Sequence, residues 1–262
     1  MTRPGEMVPF VDLFDFSGRT AVITGAGNGI GAATAARIAE AGGQVVVVDR
    51  DAAAAHRVAG SLTSAVAVAL DITSDGSAQL IVEAAHQAFG GVDILVNSAG
   101  IFPHVDTLDM TPESWDSVMS LNVRAVFGLS QACARVMTTP GGAIVNVASY
   151  AAFRPRRGMV AYSTSKGAVI SMTKALSVDL GPTVRVNAVA PGPITDTAGA
   201  AAGLPADPAA AAAAVHAVGA TLPVGRTGRA DDVARLIMFL ASDAASFITG
   251  ETVVIDGGRS LV

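Results

Sequence analysis

Thr20-Ala21-Val22-Ile23-Thr24-Gly25-Ala26-Gly27-Asn28-Gly29-Ile30-Gly31 runs from a β-branched strand through a glycine-rich turn into an alanine-rich segment of helical period, Ala32 to Ala41. In that position a glycine turn lets backbone N–H groups and a helix N-terminus meet a pyrophosphate. A glycine-rich βα turn is also a common structural device, so the surroundings have to decide. Val45 to Val48 is a second strand, apolar throughout, as expected for a parallel strand covered on both faces. Asp49 ends it, and Arg50 follows. A carboxylate there can accept from both hydroxyls of an adenosine ribose and would repel a 2′-phosphate. Arg50 could instead pair with such a phosphate. Asn28 is neutral where a basic residue would help bind one, and the balance favours NAD over NADP.

The pattern continues with strands at Ala65 to Leu70, Val92 to Val96, Ala143 to Val147, Val184 to Val189 and Thr252 to Ile255. Helical segments lie near Ser77 to Phe89, Pro112 to Met137, Ala161 to Leu180 and Asp231 to Ser242. Thr111 before Pro112 reads as an N-cap with proline at the first helical position. Seven strands joined by crossover helices predict an α/β fold, a doubly wound parallel sheet with helices on both faces. No linker divides the pattern, so residues 1–262 read as one domain, with an N-terminal extension at 1–17. The alanine-rich stretch Thr197 to Thr221, with Pro205 and Pro208, reads as a mobile lid of one or two short helices rather than a disordered linker.

Composition narrows the function classes. Hydrophobic residues are 51% of the 262 and charged residues 15%, enough for a large core and against disorder. Net charge is −5, and the only basic cluster, Arg154, Arg156 and Arg157, is too short to indicate nucleic acid. Cys133 is the single cysteine, no apolar run reaches bilayer-spanning length, and residues 1–17 lack a signal-peptide core. A cytoplasmic protein is expected.

Tyr162 and Lys166 stand four residues apart, so in a helix they share one face. A phenol titrates near ~10, and a neighbouring positive charge is expected to pull it toward working range for acid–base chemistry. Ser149 lies upstream at the end of an apolar run, where its hydroxyl could hold a substrate oxygen. With the glycine turn, this set indicates a nicotinamide-dependent oxidoreductase. The four histidines, at 56, 86, 104 and 216, show no metal-ligand spacing.

From about Gly18 to Gly258 the chain resembles the short-chain dehydrogenase/reductase family. The matching pieces are Thr24 to Gly31, Asp71, Asn97-Ser98-Ala99-Gly100, Asn122, Ser149, Tyr162 with Lys166, and Pro191-Gly192. The resemblance implies strand order 3-2-1-4-5-6-7 and a catalytic set of Asn122, Ser149, Tyr162 and Lys166. Asn122 would hold a water joining Lys166 to solvent, or be satisfied by backbone at a helix irregularity, or both. A cofactor surface is implied from Gly25, Asn28, Gly29, Ile30, Asp49, Arg50, Asp71, Ile72, Asn97, Ala99 and Gly100, with Tyr162 and Lys166. Asp71 would reach the adenine amino group, with helix capping as its rival role. The nicotinamide carboxamide would bind near Pro191, Gly192, Ile194, Thr195 and Thr197. The family commonly has threonine five residues after that proline; here Asp196 stands there, so either flanking threonine could serve.

The implied reaction is reversible hydride transfer between a secondary alcohol and its ketone. Candidate substrate-pocket residues are Phe102, His104, Tyr150, Phe153 and Met159. Competing readings are a silent dinucleotide sensor on the same fold, an NADP-dependent carbonyl or 3-oxoacyl reductase, and an enoyl-type double-bond reductase, whose tyrosine and lysine are spaced more widely. The helices near Pro112–Met137 and Ala161–Leu180 are apolar around much of their circumference and need a second partner. In relatives such helices form a four-helix contact across a two-fold axis, so a homotetramer is expected.

Overall fold

The structure is a computed structural model that describes residues 7–137, 141–201 and 203–262. Residues 1–6 of the N-terminal extension and residue 202 of the expected lid lie outside the described residues. Its frame is β1 (Thr20–Thr24), β2 (Gln44–Asp49), β3 (Ala65–Ala69), β4 (Ile94–Asn97), β5 (Gly142–Val147), β6 (Val184–Pro191) and β7 (Thr252–Ile255). All pairings are parallel, in the order β3-β2-β1-β4-β5-β6-β7. This is the doubly wound sheet expected from the alternation of strands and helices.

Alternation along each strand divides the core in two. Ala21, Ile23, Val45, Val47, Val96 and Val145 face one way, against α1 (Gly29–Glu40) and α9 (Ala230–Ala241) through Ala35, Ile38, Ile237 and Leu240. Val22, Val46, Val48, Leu95 and Ile144 face the other, against α3 (Ser77–Phe89), α5 (Val126–Val136) and α6 (Val160–Leu180) through Ile81, Leu129 and Leu176. Both faces are dry, which is why the strands read as unbroken apolar runs rather than alternating ones. The second crossover helix, α2 (Ala52–Gly60), is capped by Asp51, which accepts from the Ala54 amide at 3.0 Å.

A buried polar ladder crosses the sheet. Ser130 on α5, Asn97 on β4, Asn146 on β5 and Thr173 on α6 are linked by bonds of 2.9–3.2 Å from the Asn97 and Asn146 side-chain amides. Asn97 is thus a strut between strands and helices, and it does not line the cleft at the strand ends.

The single helix expected from Pro112 to Met137 is three pieces: α4 (Pro112–Met119), a π-helical segment (Ser120–Ala125) and α5. Asn122 lies within the π segment, fully buried. The extra residue of a π turn swings that amide out of the helical stack, and here its partners are on neighbouring elements. The start of α4 is as expected: Thr111 accepts from the Ser114 amide at 3.2 Å and Pro112 occupies the first turn. The 197–221 segment holds α7 (Ala198–Ala201) and α8 (Pro208–Ala220). Among the described residues no helix is long and apolar enough to cross a membrane.

Candidate active site

The chain reverses its winding between β1 and β4, and open α/β sheets bind ligands outside the strand ends at such a point. Here the Thr24 hydroxyl accepts from the Ser98 and Ala99 amides, at 3.1 and 3.2 Å, and holds the two strand exits side by side. A cleft of about 580 Å³ opens there. It is lined by Gly25, Asn28, Gly29, Ile30, Asp49, Arg50, Asp71, Ile72, Ala99, Gly100, Phe102, Tyr162, Lys166 and Thr197, as well as Ser98, Thr73 and Gly199.

At one end, Asp49 is anchored by backbone: Oδ2 accepts from Gly27 N at 2.9 Å and Oδ1 from Asp51 N at 3.0 Å. A Cβ at Gly27 would lie 2.7 Å from Asp49 Oδ2, so only glycine lets the carboxylate pack onto the turn. Arg57 donates to the Gly27 carbonyl at 3.1 Å and braces the turn from below. Asp71 accepts from the Thr73 hydroxyl and amide at 2.7 and 2.8 Å, which holds its carboxyl below the usual range. The helix-capping role weighed for Asp71 falls away, since α3 starts at Ser77 with Gly76 as its N-cap.

At the other end lie the expected catalytic side chains. Tyr162 and Lys166 share a face of α6; Ser149 lies two residues beyond the end of β5, close enough to act on the Tyr162 phenol but outside the cleft lining. Lys166 is buried and donates from Nζ to the Val147 carbonyl at 2.7 Å; its ammonium sits 5.7 Å from the Tyr162 ring centroid. Burial brings the Lys166 pKa down from 10.5 to about 8. Ser149 Oγ accepts from the Ala151 amide at 3.1 Å, which leaves its hydrogen available for another oxygen. The Tyr162 phenol is raised, first by burial and to a lesser degree by Tyr150, with the Ser149 hydroxyl opposing. The lowered phenol expected from Lys166 is therefore not what the structure has. Both groups are deep enough that losing water outweighs their attraction.

Asn122 accepts from Ile101 N at 3.0 Å and donates to Ile101 O at 2.9 Å and Ser165 Oγ at 3.1 Å. It approaches Lys166 only across Gly100, where a Cβ would lie 3.2 Å from Asn122 Oδ1 and 3.5 Å from Lys166 Nζ. The backbone-satisfied reading of Asn122 is thus present at the irregularity itself.

Other expected residues fall elsewhere. Tyr150, Ile194 and Thr195 line a second cavity of about 460 Å³. Thr195 Oγ1 is bonded to Thr227 Oγ1 at 3.0 Å, while Thr197 lines the cleft and accepts from Ala200 N at 3.2 Å. Asp196 accepts from Ala230 N at 2.7 Å at the start of α9, so its departure from the family pattern has a structural use. Pro191 ends β6, and Gly192 is pressed against Asp256; neither lines the cleft. His104, Phe153 and Met159 line neither cavity. His104 is exposed and packs on Gly158, which accepts the Val105 amide at 2.8 Å; Phe153 is exposed, and Met159 is the residue before α6. The anchors supplied by Val147 and Ile101 had no sequence signal, because they are main-chain carbonyl and amide groups. Among the described residues no cluster of His, Cys, Asp or Glu is placed to hold a metal.

The family model described as Enoyl-(Acyl carrier protein) reductase matches residues 25–260. The chain is 39% identical to the cis-4-hydroxycyclohexanecarboxylate dehydrogenase of Sinomonas cyclohexanicum, over 94% of this chain and 98% of that one. Its closeness to a solved structure, the short-chain dehydrogenase/reductase (glucose/ribitol dehydrogenase) of Brucella melitensis, is a TM-score of 0.87 at 36% identity, covering 94% of this chain and 98% of the other. The chain belongs to the short-chain dehydrogenase/reductase family. The NAD-dependent glycerol dehydrogenase of Listeria innocua is 36% identical over 95% of this chain and 96% of its own length. Members of this family use nicotinamide cofactors, and the cleft fits one: Gly25 and Gly29 carry left-handed backbone at φ 64° and 56°, beside the N-terminus of α1 and the anchored Asp49.

Lys166 carries a prediction with a definite sign. Unfolded lysine keeps its proton up to about 10.5, whereas the buried one releases it near 8, so between those values the unfolded chain binds more protons and folded stability rises with pH. Cys133, pushed up to about 12 by burial, and the raised Tyr162 act oppositely above about pH 9. The difference between wild type and Lys166→Met isolates the lysine. Urea midpoints should show wild type gaining on the variant as pH rises from 7.5 to 9.5; parallel profiles would contradict the burial of a titrating ammonium.

Proposed function

We propose that this protein is an NAD-dependent alcohol dehydrogenase and ketone reductase, interconverting a secondary alcohol and its ketone. One observation carries the proposal: Tyr162 and Lys166, with Ser149 beside the phenol, stand at one end of a cleft whose other end holds the anchored carboxylate of Asp49. A bound nicotinamide would supply the hydride acceptor. In the oxidation direction Tyr162 Oη, as phenolate, takes the hydroxyl proton. Ser149 holds the substrate oxygen by donating to it and stabilises the carbonyl as it forms. Lys166 donates to the cofactor ribose and, when charged, favours the phenolate. Asn122 positions Gly100 and Ile101 next to that ammonium and supports a water path to it. The glycine turn with Asn28, Gly29 and Ile30 cradles the pyrophosphate, Asp49 accepts from the ribose hydroxyls, and Asp71 and Ile72 flank the adenine. Thr197, lining the cleft, is the better candidate for the carboxamide than Thr195, whose hydroxyl is engaged with Thr227.

The enoyl reductase description of the matching family model favours reduction of a carbon–carbon double bond instead. Against it stand the one-turn spacing of Tyr162 and Lys166 and the serine beside the phenol, which suit a carbonyl oxygen. The alcohol dehydrogenases among its relatives support the same choice. The raised phenol makes alcohol oxidation an alkaline activity, rising with pH as Tyr162 ionises. The buried single thiol fits a reducing compartment, and the cytoplasm is the proposed location.

Tyr162→Phe should remove turnover by at least about a hundredfold, the scale of general acid–base catalysis, while NADH titration by fluorescence shows little change. A near-normal rate would overturn the mechanism. Asp49→Ala should lower kcat/KM with NAD and raise it with NADP, since a ribose contact and a repulsion disappear together. A wild type that already prefers NADP would overturn the cofactor choice. Phe127 and Val178 are exposed on α5 and α6, and Ala175 shares the outer face of α6. These faces are the proposed four-helix contact of a homotetramer, with the tail from Thr252 to Val262 as a second one. Light scattering at micromolar concentration should give four times the chain mass of 26.2 kDa; a stable monomer would refute it.

A further inference from the structure

The second cavity is bounded by the loop after Ser149, the segment after β6 and the 197–221 segment. Tyr150, next to Ser149, lines it and lies near enough to Tyr162 to affect its ionisation. Its walls are small or apolar at Pro193, Ile194, Ala200, Ala217 and Val218. Tyr150, Thr195 and Thr221 add hydroxyls, of which those of Thr195 and Thr221 are bonded to Thr227 and the Val218 carbonyl. Two residues are charged, Arg156 from the loop after Ser149 and Arg259 from the 3-10 turn Arg259–Leu261.

These arginines differ from most others in the chain. Arg19, Arg37, Arg226, Arg229 and Arg235 are each paired with an aspartate. Arg185, Arg57 and Arg154 donate to main-chain carbonyls. Among the described residues, the Arg156 and Arg259 guanidiniums have neither an ion-pair partner nor a hydrogen bond. No residue lining the cavity is acidic. Asp256, three residues before Arg259, is committed to the Gly258 and Ser260 amides at 2.9 and 2.7 Å, and the Val262 main-chain oxygen is engaged by Arg154. Guanidinium groups present a planar fork of donors that matches carboxylate, phosphate or sulfonate. Ligand pockets are mostly apolar with a few polar groups that fix orientation. Two unpaired forks on a largely apolar wall with no acidic residue are therefore placed for an anion carried by an apolar body.

We propose that the substrate is an alcohol or ketone bearing an oxyanion, held by Arg156 and Arg259 while its apolar part lies against Ile194 and Val218 and its carbinol reaches Ser149 and Tyr162. This rests on the dehydrogenase reading above and adds the substrate class. The anionic group selects the substrate and sets which end of it enters first.

The test uses the full chain and matched probes: cis-4-hydroxycyclohexanecarboxylate against its carboxamide, and glycerol 1-phosphate against glycerol, each oxidised with NAD. In parallel, calorimetry measures unreactive cyclohexanecarboxylate and inorganic phosphate binding to the protein with and without NADH. The expected result is at least a tenfold preference in kcat/KM for one anionic probe over its neutral partner, expressed mainly in KM. Arg156→Gln and Arg259→Gln should each reduce that preference several-fold and weaken binding of the matching unreactive anion. Arg259→Lys should retain part of both, which separates loss of charge from loss of fold. The comparison between the two pairs tells carboxylate from phosphate. Neutral probes oxidised as well as the anionic ones, with a ratio indifferent to both substitutions, would overturn the proposal. So would the absence of anion binding in the calorimeter. Failure of the dehydrogenase reading looks different: no alcohol of either class is oxidised, although the unreactive anion still binds and is lost in the arginine variants.

Discussion

One hydroxyl holds the two halves of the site together. Thr24 accepts from two successive amides, Ser98 and Ala99, at the point where β1 and β4 send their chains to opposite faces of the sheet. Without that bridge the strand exits would be free to splay, because parallel pairing ends there and the next residues belong to different crossovers. With it, the glycine turn and the Ala99–Gly100 segment form one continuous floor. The anchored Asp49 and the buried Lys166 are then positioned from the same floor, one at each end.

The side chains proposed for catalysis are held at a cost in stability. Lys166 loses water almost entirely and recovers one carbonyl, Val147, as a partner. Tyr162 is pushed away from ionisation by the same burial. Desolvation dominates at both groups and moves them in opposite senses: it brings the ammonium toward working pH and carries the phenol further from it. The lysine is therefore the member of the pair that a modest change in local potential would switch first. The structural elements that keep it in place are main-chain atoms and the ladder from Ser130 to Thr173, which a mutation of surface residues leaves untouched.

Much of this was legible in the chain because it is local. β1 and β7 coincide with their apolar runs to the residue, and Asp49 stands at the end of β2 as its position implied. Tyr162 and Lys166 needed only a helix to share a face. What was not legible depends on elements far apart in sequence. His104 follows a strand at the ligand-binding edge, yet a glycine at 158 gives it a place to pack outside the cavities. Thr195 and Thr197 are equivalent on paper and separate only when Thr227 arrives from another loop. Arg156 belongs to a basic cluster too short to suggest a function by itself, and it meets Arg259 only once the tail folds back. The lowered phenol failed for a related reason, since depth of burial is not written in the spacing of two residues.

The π segment at Ser120–Ala125 gives this helix one residue more than a regular helix of the same span would hold. The wider turn absorbs that residue, so α4 and α5 keep the phase they would have in an unbroken helix. Deleting one residue there would restore the regular turn and leave Trp115 and Val118 facing much as they do now. Asn122, however, would rejoin the stack and lose both of its bonds to Ile101. The segment is a spare residue in the helix: the helix could survive its loss, and the link to Ile101 could not.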